Sequence, residues 1–269
     1  MYLIATDDGL FRLNEKDREI ERLTQGYSVN DAILPYICSS RQGVIVNGET
    51  IINEGCWRLW RYMGAVYASI EGPKIYEIKG DKREVNLILD LTNEAKELGW
   101  DFPYGPPHIT DFAVFKGQII ATVEEGNLLV GDSIRKLRPI EFIADMHNLL
   151  VKGDNLLIAA ADGLYLTKDL IKFDKRISGY AHGIEDLDDI VVGHIMAYEP
   201  LIISKDGGVN WDKLPIRLPR PTFGVTAIAK VNKEKVIYST NSIYEIDILR
   251  LESKKIVEEI PSTRRVIKM

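Results

Sequence analysis

Residues 204–211 read SKDGGVNW, which sets a serine, an aspartate, two glycines and a tryptophan in one short stretch. Such a set serves either chemistry or the construction of a turn, and the order favours construction. Asp206 can accept backbone N–H groups across a tight turn, a glycine supplies the positive φ that the turn needs, and the Trp211 indole is large enough to pack between two sheets. A turn of this kind joins antiparallel strands, so the next question is how many more strands the chain holds.

Outward from this point, the chain repeats. LFRLNEKDREIERL at 10–23 aligns without gaps on IYEIKGDKREVNLI at 75–88, and IYEI recurs at 243–246. A second series consists of short apolar strands that run into acidic or Asn/Gly hairpins: YLIATDDG, GVIVNG, GAVYASIEG, QIIATVEEG, NLLIAAADG, HIMAYEP and KVIYSTN. Their turns, near Gly9, Gly48, Gly72, Gly126, Gly163, Pro200 and Ser242, mostly stand about 37 to 42 residues apart, the length of one four-stranded propeller blade. Gly72 falls well short of the midpoint between Gly48 and Gly126, which reads as one strand missing from blades two and three, with a long loop in its place. A third series supplies innermost strands: VNDAI at 29, ITDFAV at 109, MHNLLV at 146, LDDIVV at 187 and VTAIAK at 225. The first unit starts directly at YLIAT without such a strand, and the tail RRVIKM can provide it. The expected fold is all-β: a single β-propeller domain over 1–269 with seven blades, its ring closed by the C-terminal strand. Six blades, with 49–91 merged into one, is the second choice.

Ser204, Asp206, Gly208 and Trp211 complete a Ser-x-Asp-x-Gly-x-x-Trp pattern. The stretch resembles the Asp box of bacterial neuraminidase repeat propellers, the superfamily of sialidases, sortilin-like receptors and photosystem assembly factors. Asn210 stands where the family usually has Thr or Ser, and TKDLIKF from 167 and GDSIRKL from 131 resemble degenerate copies. The resemblance implies a structural turn between third and fourth strands, on the side of the ring away from the functional mouth. It also implies two kinds of activity, protein binding or glycan hydrolysis. The sialidase arginine cluster and N-terminal FRIP-type motif are not recognisable here.

Composition narrows the partners. With 45% hydrophobic and 28% charged residues the chain is globular, and a net charge of -6 argues against a nucleic-acid surface. No apolar stretch approaches the roughly 18 residues of a membrane span. MYLIATDDG carries no basic leader, so a cytoplasmic protein is expected, and three glutamines among abundant Lys, Glu and Ile suggest a thermophile. Cys38 and Cys56 form no CxxC and read as small buried hydrophobes, not as a disulfide or a zinc site.

If the strands run as in other propellers, the second-to-third hairpins and the segments leading into the innermost strands share one face. The hairpins then contribute Asp7, Asp8, Glu49, Glu71, Glu124, Glu125, Asp162 and Glu199, and the leading segments contribute Asp31, His108, Asp111, His147, His182, Glu185 and Asp186. The insertion TNEAKELGWDFPYGPPHITD at 92–111 begins as a helical turn capped by Thr92 or Asn93 and ended by Gly99. Its Trp100, Phe102 and Tyr104 either form a ligand lid or plug the gap left by the missing strand. CWRLWRYM at 56–63 reads as a peripheral strand with snorkelling arginines, the alternative being Arg–aromatic recognition of a ligand.

The candidate binding residues are therefore Trp100, Tyr104, His108, Asp111, Glu125, His147, Asp162 and His182. No HxxxH spacing is present, so no metal ligand or cofactor is assigned. Without a Ser/His/Asp elbow, a phosphate loop or a dinucleotide glycine motif, no catalytic residue is assigned either. The expected function is a non-catalytic, monomeric propeller that binds an unknown protein or peptide on its loop face, with no nucleic-acid or membrane partner. The alternative is a glycan-active, glycosidase-like enzyme using mouth carboxylates as acid and base. A metal-dependent lyase or hydrolase is the more distant one.

Overall fold

The computed structural model describes residues 1–80, 84–103, 105–220 and 227–269. The strands form seven four-stranded antiparallel sheets, which are the blades of a β-propeller. Two compact units divide them. Tyr27–His147 holds blades two (from Asp31), three (from Cys56) and four (from Ile109), while Met1–Gly26 with Asn148–Met269 holds blades one, six, seven and nearly all of blade five. Among the described residues no helix is long and apolar enough to cross a membrane.

The second strand of a blade has a strand on each side of it in its own sheet. Such strands are buried throughout, as in YLIAT (Tyr2–Thr6) and AVYASI (Ala65–Ile70), and so they read as continuous apolar runs without alternation. Fourth strands lie at the rim and are largely exposed, as in Glu84–Asp90 and Glu252–Val257. The core lies between blades: Ile75 and Leu89 of blade three pack with Phe112 and Leu129 of blade four, and Leu157 and Leu164 of blade five with Ile184 and Ile202 of blade six.

The tail supplies the innermost strand of blade one. Thr263–Lys268 runs antiparallel to Tyr2–Thr6, with Tyr2 opposite Lys268 and Ile4 opposite Val266, and Val266 is buried.

The box at 204–211 is a turn between the third (Leu201–Ser204) and fourth (Asp212–Lys213) strands of blade six. Asp206 Oδ1 accepts the N–H groups of Val209 (3.1 Å) and Asn210 (2.9 Å) and the Ser204 hydroxyl (2.8 Å). These bonds hold its pKa down at about 2. Gly208 is required twice, by a φ of +92° and because a Cβ there would lie 2.4 Å from the Leu157 side chain. Trp211 packs against the core shared by blades five and six, its Nε1–H donating to Gly208 O at 2.9 Å. The degenerate copy in blade five folds the same way, with Asp169 Oδ1 accepting from Ile171 and Lys172 at 2.9 Å each.

Several sequence readings are corrected. Blade two turns between its second (Tyr36–Ser39) and third (Gly43–Val46) strands at 39–43, so Gly48 belongs to the following turn and GVIVNG is a third strand. All blades are complete, which excludes the missing strand and the six-blade arrangement. Glu49 accordingly starts a fourth strand at the other end of the sheet. LDDIVV crosses the turn between Ala181–Asp186 and Val191–Ile195, which places Glu185 and Asp186 at the far end of the innermost strand of blade six. CWRLWRY is no peripheral strand but the innermost strand of blade three, Cys56–Tyr62. The first residues of VTAIAK lie outside the described residues, and the strand itself is Ala227–Lys230.

Cys38 and Cys56 form a disulfide with Cα atoms 5.1 Å apart. It joins the second strand of blade two to the innermost strand of blade three. The sequence concealed it because the pairing depends on which strands of adjacent blades lie together.

Candidate loop-end site

Second-to-third hairpins hydrogen-bond to the segments leading into the innermost strands: Glu71 N–H to Gly55 O (2.9 Å), Glu124 N–H to His108 O (3.0 Å) and Met196 N–H to Tyr180 O (2.8 Å). Within each of these blades the two groups of loops therefore share one end, as expected.

At that end of the Tyr27–His147 unit, charged and aromatic side chains converge. Arg58, on the innermost strand of blade three, reaches both neighbouring innermost strands. Its Nη1 stands 2.6 Å from Asp31 Oδ2, and its Nε and Nη2 stand 2.9 and 2.8 Å from Asp111 Oδ1. Asp31 also accepts the N–H groups of Ala32 and Leu59. Burial works against the guanidinium charge, but the two carboxylates outweigh it and hold the Arg58 pKa above its ordinary value.

His108 is buried beside this clamp. Its Nε2 lies 2.7 Å from Glu124 Oε2 and its Nδ1 3.2 Å from Pro106 O. Trp57 stacks on the imidazole at 3.7 Å between ring centroids, and Phe102 meets it edge-on at 5.3 Å. The Trp57 indole nitrogen is buried and has no hydrogen-bond partner among the described residues. Across the hairpin, His147 Nε2 faces Asp145 Oδ1 at 3.1 Å, and donor atoms of Glu124, Asp145 and His147 all lie within 4.8 Å of one another. Glu125 follows at the hairpin tip with a φ of +54°. Partial burial of its carboxyl, then the charges of Asp145, Glu124 and Asp101, raise its pKa.

The structure thus gathers His108, Glu125 and His147 of the sequence candidates, with Asp111 tied to Arg58. Trp100 is buried in the core, 7% exposed, and its Nε1–H donates to Asn127 Oδ1 at 2.7 Å. It anchors the insertion from below. The helix Thr92–Glu97 is not capped by its own Thr92 or Asn93; instead Asp90 Oδ1 accepts the Thr92 N–H, and Gly99 follows with a φ of +69°. Tyr104 lies outside the described residues. Asp162 and His182 belong to the other unit. There, hydrogen bonds from Lys175 and Tyr165 overcome the cost of burial and hold the Asp162 pKa low, while His182 sits beside the Tyr180 ring at 5.3 Å.

Sequence reasoning missed Trp57, Arg58 and Asp145. The first two were hidden by the wrong strand assignment. Asp145 carried a usable signal, standing two residues before His147 where one strand ends and the next begins.

No protein-family model matches the sequence, and no curated protein does. The fold is similar to that of a computationally designed protein, at 14% identity over 98% of this chain and 86% of that one, with a TM-score of 0.63. It is also similar to a chain of the nidogen/laminin complex (12% identity, 98% and 96% covered, TM-score 0.59). A third likeness is to a catalytically inactive virginiamycin B lyase from Staphylococcus aureus with quinupristin (13% identity, 80% and 73% covered, TM-score 0.58). At these identities the likeness is one of fold.

Proposed function

We propose that this chain is a non-catalytic propeller that binds a protein or peptide on the loop end of its Tyr27–His147 unit, and that it belongs among the Asp-box propellers. The second part is supported by the turn at Ser204–Trp211 and its degenerate copy in blade five. The first rests on the insertion between blades three and four. Ala95 and Trp100 are buried in the core, while Asn93, Lys96, Glu97, Asp101 and Pro106 are exposed around them. A long connection that fills no gap in the sheets, yet is fastened at two points, is a preorganised surface. Holding it in place before contact reduces the ordering cost of binding. One of the similar structures comes from a protein complex, which supports a protein partner for this fold.

The test is affinity capture with the parent and with a Lys96→Ala/Glu97→Ala/Asp101→Ala variant, which leaves both anchors intact. Proteins held by the parent should be lost by a variant that melts at the parent temperature. Identical capture by both refutes the reading.

The carboxylates at the hairpin favour a second reading, a glycan-active enzyme, because the raised pKa of Glu125 beside Asp145 and Glu124 suits a proton donor. Hydrolysis of aryl glycosides that disappears in Glu125→Gln would establish it in place of the first.

A further inference from the structure

The buried carboxylates Asp31, Glu77 and Asp111 of the Tyr27–His147 unit are matched by permanent cations. Asp31 and Asp111 hold Arg58, and Glu77 holds Lys79 at 3.0 Å and Arg135 at 3.2 Å. At the hairpin of blade four the matching differs in kind. Glu124 is paired with His108 at 2.7 Å and Asp145 with His147 at 3.1 Å, imidazoles in place of guanidinium or ammonium groups. Glu125 and Asp101 add further negative charge close by. The negative charge here is met by bases that are themselves metal ligands.

We propose that Glu124, Asp145 and His147 bind a divalent first-row transition ion of the Zn²⁺ class. Ligand atoms about 2.0 to 2.2 Å from such an ion stand about 3 Å apart at a right angle and about 3.4 Å apart at the tetrahedral angle. His147 Nε2 and Asp145 Oδ1 are already 3.1 Å apart, and the Glu124 oxygen completes a set within 4.8 Å. The side chains of Asp145 and Glu124 are 18% and 17% exposed and that of His147 is 3% exposed, which gives the ion a route in and one fixed, buried ligand. One imidazole nitrogen with two carboxylate oxygens suits zinc or manganese better than calcium or magnesium, which take oxygen alone.

His108 acts as a positioning residue. Its Nε2 holds Glu124 at 2.7 Å, its Nδ1 is fixed on Pro106 O, and the stacked Trp57 keeps the ring from turning. A ligating carboxylate is commonly held by a hydrogen bond of this kind. Three protein ligands leave a fourth position for water or for a group of a bound partner. The short motifs of a metal site are absent from the sequence because the ligands come from a hairpin of blade four and from the junction that follows its last strand.

The experiment is calorimetric titration of the chelator-treated full chain with ZnCl2, and absorption spectroscopy with Co²⁺. The parent should take up one equivalent of Zn²⁺ and give a visible Co²⁺ band. Glu124→Gln and Asp145→Asn should each weaken Zn²⁺ binding at least tenfold, and His147→Gln should abolish the band. His108→Gln should weaken binding about tenfold while the band remains, as loss of a supporting hydrogen bond does. His182→Gln, in the other unit, should change nothing. If the parent takes up no Zn²⁺ at micromolar concentration, or if Glu124→Gln and Asp145→Asn bind as tightly as the parent, the site does not exist. Should His147→Gln fail to fold, the two carboxylate variants decide alone. None of these readouts depends on the partner proposed above.

Discussion

Arg58→Met tests whether the loop end is held by charge or by packing. Arg58 is gripped from both sides, at 2.6 Å by Asp31 and at 2.8 to 2.9 Å by Asp111, with side-chain exposures of 16%, 2% and 5% for Arg58, Asp31 and Asp111. The methionine fills most of the volume but leaves two buried carboxylates facing each other without the cation between them. Removing one partner of a buried ion pair costs about 3 to 5 kcal/mol. Asp31 keeps the N–H groups of Ala32 and Leu59. For a chain of 269 residues that loss lowers the melting temperature by about 5 to 9 °C. Urea unfolding should show the midpoint falling at unchanged slope. The combination Arg58→Met/Asp31→Asn/Asp111→Asn removes the charge altogether and should return part of the stability, since no buried carboxylate is then left without its cation. If the single variant matched the parent, or if the triple variant were no better than the single, the clamp would be a matter of shape and the electrostatic argument would fail.

The remaining predictions concern the other unit. Asp206→Ala should lower the melting temperature without changing capture of any partner, and a variant that loses capture but keeps its stability would refute a purely structural box. His194 is buried beside Tyr238 with neither ring nitrogen bonded among the described residues, and desolvation lowers its pKa to about 3. The unfolded chain then binds this proton more readily, so the contribution is fully present above about pH 6.5 and is lost as pH falls toward 3. His194→Leu should flatten that limb of a stability-against-pH curve, and an unchanged limb would refute the assignment. Deleting Arg264–Met269 should cause melting at lower temperature together with oligomers visible by light scattering, because Tyr2–Thr6 would become an open edge. A stable monomer after the deletion would show that the strand is dispensable.

What the sequence revealed and what it hid follow burial. Second strands such as YLIAT and AVYASI are enclosed on every side and stand out as apolar runs, which is why the seven-blade spacing was legible. Rim strands such as Glu84–Asp90 face solvent along much of their length and resemble loops, so blade two was misread by one strand and Glu49 was sent to the wrong end. Short runs also deceive at turns: LDDIVV looks continuous because Leu187, Ile190 and Val191 are buried around a bend. The site suffered from the same limit. Arg58, Asp31 and Asp111 come from three different blades, and only correct strand order brings them together. The disulfide bears on location as well, since such a bond persists in the cytoplasm chiefly in hyperthermophiles and elsewhere marks an oxidising compartment. The cytoplasmic expectation therefore depends on the thermophilic one, and not the reverse.

The contrast between the two acidic clusters separates scaffold from site. Around Arg58 the charge is permanent and both carboxylates are gripped by one fixed guanidinium fork. Around Glu124 the opposing groups are imidazoles, which are themselves metal ligands. The same segment reaches the insertion, because His108, which holds Glu124, also bonds to Pro106 O at the insertion's end and is flanked by Phe102 from within it. An ion that orders Glu124 would thus order the base of the surface proposed to meet the partner. Linkage then demands reciprocity: if Zn²⁺ tightens partner binding by some factor, the partner must tighten Zn²⁺ binding by the same factor. Equal factors measured in both directions would join the two proposals into one site, and a factor of one in each would leave them as separate properties of neighbouring loops.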